Sequence, residues 1–375
     1  MHVLIAPNAF KNSLSAEKAA AAIGRGLAQS RLAATAECFP VGDGGDGTGD
    51  LLIDRLRAQR IPAKARDPLG NVIGTYFGMA SPFTAIIEMA NASGLRLVPR
   101  PARDPLHASS AGTGDLIRAA LDHHANRIII GMGGSATVDG GAGILQALGA
   151  GFYNSDGQTL TELPSQLGDL DSIDTANLDP RLAVTELIVL CDVINPLIGA
   201  NGAAAVFGPQ KGASPAAVKR LESGLRRFAQ IVARQTGVDL SGLPRGGTAG
   251  GAAAGLHAVP GARLVSGIDY FLDITGFDEA LERATHVLTG EGSIDRQTLQ
   301  GKAPFGVARR AKARGIPVIA LTGRRPDDMA LLRPYFDEII TINPPRTPFP
   351  VALADTAANL ERAARGWADR MASGA

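Results

Sequence analysis

Cysteine is nearly absent from this chain: Cys38 and Cys191 are the only two among 375 residues. Two thiols exclude a disulfide framework and a cysteine-rich zinc site. Both lie in apolar, strand-like surroundings, Glu37-Cys38-Phe39 and Leu190-Cys191-Asp192, where buried reduced thiols are expected rather than nucleophiles. Charge of one sign is also missing. The 37 basic and 36 acidic residues leave +1 with histidine neutral, which gives no electrostatic reason to expect nucleic acid or an anionic membrane as partner. No run reaches the roughly 18 apolar residues that a membrane span needs, because Gly, Pro and Asp interrupt every candidate. The opening Met1-His2-Val3-Leu4-Ile5-Ala6-Pro7 has no basic region before an apolar stretch, so no secretory signal is read and a soluble cytoplasmic protein is expected. The six histidines are scattered, and adjacent His123 and His124 cannot share one helix face, which argues against a histidine metal site.

Standard catalytic signatures are missing too. Gly301-Lys302 is followed by Ala303 and has Arg296 where a G-x-x-x-x-G-K-[ST] phosphate loop needs its first glycine. The sets H-R-D, D-F-G, G-x-S-x-G and H-E-x-x-H do not occur. Glycine, by contrast, is abundant: 46 residues, about 12% where about 7% is usual, gathered in short loops without a collagen-like period. That distribution suits a backbone that closely approaches a ligand. Hydrophobic residues at 45% are enough for a sizeable core and too many for disorder. At about 150 residues per domain, the length suits two domains.

Strand–helix alternation runs through both ends of the chain. Strands are predicted at 2–7, 36–41, 286–288, 316–321 and 337–342, and helices from the Ser15 N-cap to Gln29 and at 48–59, 277–284, 303–314 and 351–371. The middle differs. It offers a β-hairpin at 72–79 and 84–89, strands at 127–131 and 186–192, helices at 113–123, 143–148 and 215–236, and a polar surface loop over 154–182. This pattern predicts an α/β fold of two domains. Residues 1–66 and 276–375 form a discontinuous, doubly wound Rossmann-like domain, and 67–275 an inserted α/β domain, with the ligand site in the cleft between them.

Three glycine-rich loops are candidates for binding. Gly42-Asp43-Gly44-Gly45-Asp46-Gly47 matches G-x-G-x-x-G between a strand and a helix, with Asp67 at 20 residues beyond Gly47. A nicotinamide-dependent oxidoreductase would use it for the dinucleotide. However, Asp43 and Asp46 would oppose a pyrophosphate, and they suit Mg²⁺ or polyol hydroxyls better. The loop Gly131–Thr137 follows an uncharged strand and offers clustered backbone N–H groups with the hydroxyls of Ser135 and Thr137, as an anion cradle requires. Gly246–Gly251 has small residues that could likewise face phosphate. Charged or polar groups interrupt further stretches: Lys11; Asp192 and Asn195; Gln210 and Lys211; Glu291, Asp295 and Lys302. Each follows a predicted strand end, where open α/β sheets place their ligands.

Together these segments resemble the bacterial glycerate kinases of the first type. The resemblance rests on Asn8-Ala9-Phe10-Lys11-Asn12-Ser13-Leu14-Ser15-Ala16, Pro40–Thr48 and Gly133–Gly143. It extends to Cys191–Leu197 with Val206–Gly212, and to Thr289–Thr298 with Gly301-Lys302. Asn8 and Ala9 stand where members often have Asp and Ser, Val138 where Asn is frequent and Asp46 where Glu is common, while Lys11, Asp43 and Asp139 are kept. The resemblance implies ATP-dependent phosphorylation of D-glycerate, with the 2-phosphate product favoured over the 3-phosphate. ATP phosphates would then lie on Gly133, Gly134, Ser135 and Thr137, helped by Gly247, Gly250 and Gly251, with Mg²⁺ on Asp43 and Asp46. Lys11 and Lys211 would neutralise phosphate or carboxylate, Asp192 would be the base with Glu291 or Asp295 as competitor, and Asn195, Gln210 and Lys302 would bind substrate. No nucleic-acid or membrane partner is expected; monomer and homodimer both remain open. A non-catalytic sugar-acid-binding protein is the other rival to the kinase reading.

Overall fold

In the computed structural model, residues 1–374 are described, apart from the side chains of Gln297 and Gln300. Local chemistry starts the elements where the sequence places them. Ser15 caps the helix Ala16–Ala28 by accepting from the Lys18 N–H at 3.4 Å. Ser214 caps Pro215–Thr236, with Pro215 in its first turn and Gly237 closing it at φ +76°. The strands along the chain are β1 (His2–Pro7), β2 (Thr35–Cys38), β3 (Gln59–Arg66), β4 (Val72–Ala80), β5 (Thr84–Glu88), β6 (Arg127–Gly131), β7 (Gly151–Tyr153), β8 (Ser172–Asp174), β9 (Glu186–Cys191), β10 (Arg263–Ser266), β11 (His286–Ser293), β12 (Val318–Arg324) and β13 (Glu338–Thr341).

Contacts divide the chain into two units, Met1–Asp43 with Ile268–Ala375, and Gly44–Gly267. The sequence expectation put these crossings at 66/67 and 275/276. The first lies earlier because β3 pairs antiparallel with β4 over its whole length and so goes with the Gly44–Gly267 unit. The predicted helix 48–59 is correspondingly shorter, Thr48–Arg55.

The discontinuous unit holds a parallel sheet in the order β13-β12-β11-β1-β2. Counted within the unit this is the 2-1-3-4-5 order of a doubly wound sheet, with its switch point between β1 and β11. Val3, Ile5, Leu288 and Leu321 pack with Ile23, Leu360 and Trp367 from the helices Ala16–Ala28 and Thr356–Ala372. Phe277–Arg283 and Ala303–Ala313 pack on the strands without joining that cluster, which puts them on the other face. The predicted helix 351–371 is broken into Phe349–Ala354 and Thr356–Ala372. Cys38 is exposed, contrary to expectation, because β2 is an edge strand.

The continuous unit holds a six-stranded sheet, β10-β9-β6-β5-β4-β3, in which β5, β6, β9 and β10 run parallel and the β4–β5 hairpin is antiparallel. The segment 154–182 is not simply a polar loop. It contains β8, and its Leu160, Leu163, Leu167, Leu170 and Ile173 are buried with Leu221, Leu225, Phe228 and Val232 of the helix Pro215–Thr236. Among the described residues no helix is long and apolar enough to cross a membrane.

Two glycines test this packing. A methyl on Gly26 would come 2.2 Å from the Glu361 carbonyl oxygen, where the first helix meets Thr356–Ala372, whereas one on Gly366 meets nothing within 4 Å. Gly26→Ala should cost about 1–3 kcal/mol, and Gly366→Ala should stabilise by about 0.5–1 kcal/mol through helix propensity. Opposite shifts of the urea midpoint would confirm both.

Candidate active site

At the switch point of the parallel sheet, four charged groups gather behind the carboxyl ends of β1 and β11. Pro7 pairs with Gly290, so the loop that begins at Asn8 starts beside Glu291. Glu291 is 7% exposed; its carboxylate accepts from Thr298 Oγ1 at 3.0 Å. The same Thr298 hydroxyl accepts from the Asp295 N–H at 3.1 Å, so the turn after β11 is tied to the carboxylate it covers. Burial is the main cause that pushes Glu291 up to about 7; Lys302, the Thr298 bond and Lys11 oppose the shift, and the charge of Asp43 adds to it. Asp43, also 7% exposed, accepts from Asn8 Nδ2 at 3.0 Å. The sequence reading named Lys11, Asp43, Glu291, Asp295 and Lys302 but missed Asn8 and Thr298 as the groups that orient the two carboxylates.

In the Gly44–Gly267 unit, the candidate groups lie at the carboxyl ends of β5, β6 and β9. The Gly131–Thr137 loop is largely held by its own neighbours. Met132 and Gly133 donate to the Gly44 carbonyl at 3.1 and 2.9 Å, and Ala136 donates to the Ser93 carbonyl at 2.9 Å. Among the described residues, the Gly134 and Ser135 N–H groups make no hydrogen bond. Lys211 is 4% exposed, and its Nζ donates to Ser135 Oγ at 2.9 Å and to the Thr137 carbonyl at 2.7 Å. Burial pushes Lys211 down to about 8, against the pull of Asp139 and Asp192. Asp139, fully buried, accepts from the Ser110 N–H and hydroxyl and from the Gly141 and Gly143 N–H groups, so it ties the next turn to the helix Ala111–Asp122.

Other candidates are placed differently. Asp192 is half-buried, and its charge acts on Lys211. Asn195 donates from Nδ2 to the Asn201 carbonyl at 2.8 Å, and its own carbonyl accepts from Gly247 N–H at 2.9 Å. Gln210 is exposed although Lys211 beside it is buried, so neighbours in sequence part company here. Gly247, Gly250 and Gly251 have a packing reason: a methyl would come 2.3 Å from the Pro196 carbonyl, 1.9 Å from the Thr137 carbonyl and 2.6 Å from Leu197, respectively. Gly250 packs on the Thr137 end of the Gly131–Thr137 loop and Gly251 on its continuation at Gly140, whereas Gly247 packs on Asn195 and Pro196. Asp46 is exposed, its backbone so close to Gly133 that a methyl there would lie 2.0 Å from the Asp46 nitrogen. Burial pushes the Cys191 thiol up to about 12, as suits an inert core cysteine.

The residues fit a phosphate-bearing ligand through the Gly134 and Ser135 N–H groups. A protein cage for a metal does not arise, since no group of three or more His, Cys, Asp or Glu among the described residues could hold one. Mg²⁺ needs only one or two carboxylates when substrate phosphates supply the rest, so the donor set is compatible with it.

The family model for the glycerate kinase family matches residues 3–372. Among curated proteins, the glycerate 2-kinase of Escherichia coli strain K12 is 41% identical over 376 aligned positions, covering 100% of this chain and 99% of the relative. The glycerate kinase of Halalkalibacterium halodurans is 44% identical over 322 residues, 86% of this chain and 85% of its own. A crystal structure assigned to glycerate kinase 2 from Salmonella typhimurium LT2 aligns with TM-score 0.82 and 41% identity, over 100% of this chain and 99% of that one.

The Glu291 environment sets a pH dependence of stability. Its folded pKa of about 7 lies above the ordinary carboxylate value, so the native state holds this proton more tightly than the unfolded chain does. The stabilisation is complete below the ordinary value near 4.5 and is lost as pH rises through 7. Melting curves from pH 4.5 to 8 should show the wild type losing ground steadily to Glu291→Gln; a pH-independent gap would contradict this environment.

Proposed function

Because the chain belongs to the glycerate kinase family, we propose that its two clusters of charged and glycine-rich groups serve ATP-dependent phosphorylation of D-glycerate, with the 2-hydroxyl as acceptor. The family makes the protein an enzyme that phosphorylates glycerate with ATP. Neither a nicotinamide-dependent oxidoreductase nor a non-catalytic sugar-acid binder finds support in it. The name of the Escherichia coli relative, glycerate 2-kinase, favours the 2-hydroxyl.

Phosphoryl transfer asks chiefly for positioning and for neutralisation of charge on the transferring group. The observation that best supports the reading is the gathering of Lys11, Lys302, Asp43 and Glu291 at a switch point, a lysine pair beside a carboxylate pair. Lys11 and Lys302 would take the glycerate carboxylate or a phosphate oxygen, with Asn195 and Gln210 as further substrate contacts. The Gly133–Thr137 loop would take ATP phosphates through Gly134 and Ser135, supported from behind by Gly250 and Gly251. Lys211 would lend its charge through the Ser135 hydroxyl it holds. Asp43 and Asp46 would be the donors to Mg²⁺, which when bound neutralises phosphate charge.

Asp192 would accept the proton of the attacking hydroxyl. Glu291 is a second reading for that role, with Asp295 behind it, because a carboxyl near pH 7 is well matched to proton transfer at neutral pH. Asp192→Asn should lower kcat by about 10²–10⁴-fold, with Glu291→Gln the milder change; the reverse order would transfer the role to Glu291.

Regiochemistry is read by incubating the enzyme with MgATP and D-glycerate, then adding enolase without phosphoglycerate mutase. ADP release with an immediate enolase signal is the expected outcome. A signal that waits for mutase would make the 3-hydroxyl the nucleophile, and no glycerate-dependent ADP would defeat the reading.

A further inference from the structure

Glu88 has no part in the mechanism above, and its position is unusual for a carboxyl group. It ends β5, a strand whose five residues are all buried, and is itself 1% exposed. Its Oε2 accepts from the Gly49 N–H at 2.6 Å, while Oε1 is buried and has no hydrogen-bond partner among the described residues. A carboxyl so placed is costly to bury and needs a reason.

The helix Thr48–Arg55 supplies one. Its N-cap is Gly47, at φ +90°, which has no side chain to satisfy the first free N–H groups of the helix. Glu88 delivers the missing acceptor from another element. Gly49 must be glycine for this approach, since a methyl there would come 2.8 Å from Oε2 and 2.9 Å from the Glu88 Cβ. The register adds a second constraint. Glu88 pairs with Gly131, and a methyl on Gly131 would lie 3.0 Å from the same Oε2. One oxygen therefore sits between the start of the helix and the strand end that leads into the Met132–Thr137 loop.

From Gly44 to Gly49 the chain crosses three strand ends. A methyl on Gly44 would lie 2.7 Å from the Leu190 carbonyl of β9, and the Gly44 carbonyl holds the Met132 and Gly133 N–H groups beyond β6. Gly49 is held by Glu88 at the end of β5. Releasing Glu88 would loosen this crossing segment at one of its anchors, and with it the backbone that sets where Gly134 and Ser135 point.

We propose that Glu88 is a positioning residue for the phosphate-binding loop: by capping the Thr48–Arg55 helix from β5, its carboxyl pins the Gly44–Gly49 segment against Met132–Gly134. The inference rests on the reading that this loop holds ATP phosphates, and the test separates the two. Hydrogen exchange of the wild type with and without Mg²⁺ and a non-hydrolysable ATP analogue examines that reading alone; protection of 132–136 is expected, and its absence would defeat the reading whatever Glu88 does.

Kinetics of Glu88→Ala, Glu88→Gln and Gly49→Ala examine the inference. Glu88→Ala should raise the KM for ATP about tenfold or more, as a displaced loop would, with kcat and the KM for glycerate within about twofold of the wild type. Glu88→Gln, whose amide oxygen can still accept from Gly49, should restore most of that loss. Gly49→Ala, which forces the same contact apart, should reproduce the Glu88→Ala split and carries the test if Glu88→Ala does not fold. An unchanged KM for ATP would overturn the proposal. So would a fall in kcat and a rise in both KM values alongside a lower melting temperature, which is the signature of a purely structural role, or a failure of glutamine to rescue.

Discussion

The site in the Gly44–Gly267 unit depends on one register. Glu88 of β5 lies opposite Gly131 of β6, and Gly131 lies opposite Leu190 of β9, so three parallel strands end in line. Backbone laid across such an edge must approach the strand ends at contact distance. Methyl groups at Gly44, Gly49 and Gly133 would fall 2.7, 2.8 and 2.0 Å from their nearest neighbours, all well inside contact. Gly44 and Gly133 are thus required by backbone lying on backbone, and Gly49 by the Glu88 side chain that reaches its N–H. Within the G-x-G-x-x-G match at Gly42–Gly47, Gly44 serves this crossing and Gly47 the left-handed N-cap of a helix.

Desolvation shifts two of the buried ionisable groups, Lys211 and Glu291, towards neutrality from opposite directions. Lys211 descends to about 8 and Glu291 rises to about 7, in each case chiefly through burial and only secondarily through neighbouring charges. Lysine and glutamate normally titrate about six units apart. Here both sit near neutrality, the condition under which a small change in the charge of a bound ligand shifts a proton. Bound charge of either sign is such a change: an anion beside Lys211 would raise its proton affinity, and a cation beside Glu291 would lower that of the carboxyl.

Much of this was legible in the sequence, and what was missed has identifiable causes. Continuous apolar runs gave β6 and β9 within a residue of their bounds, and the helix expected at 215–236 is Pro215–Thr236. In β3, the alternation of Ile61, Ala63 and Ala65 with charged residues was present, but Pro62 and the preceding helical pattern obscured it; proline is tolerated there because β3 is an edge strand. The leucines of 160–170 were diluted by polar neighbours, so no local period revealed that they cover one face of a distant helix. Candidate residues were picked chiefly where a charge interrupted an apolar or glycine-rich run. Asn8 and Thr298 carry no charge, and Glu88 lay inside the strand expected at 84–89. Their roles arise only from what the fold brings beside them.

The lysines show why type and position alone do not assign a role. Lys11, Lys211 and Lys302 all follow strand or turn ends in glycine-rich surroundings, and sequence gives no reason to rank them. Burial does. Lys211 directs two of its three N–H donors to Ser135 Oγ and the Thr137 carbonyl inside the unit, which ties its ammonium to the Gly131–Thr137 loop. Lys11 is exposed and Lys302 half-buried, so each can turn towards an anion with little desolvation still to be met. One lysine is therefore part of the fabric of the Gly131–Thr137 loop, while the other two stand nearer the surface.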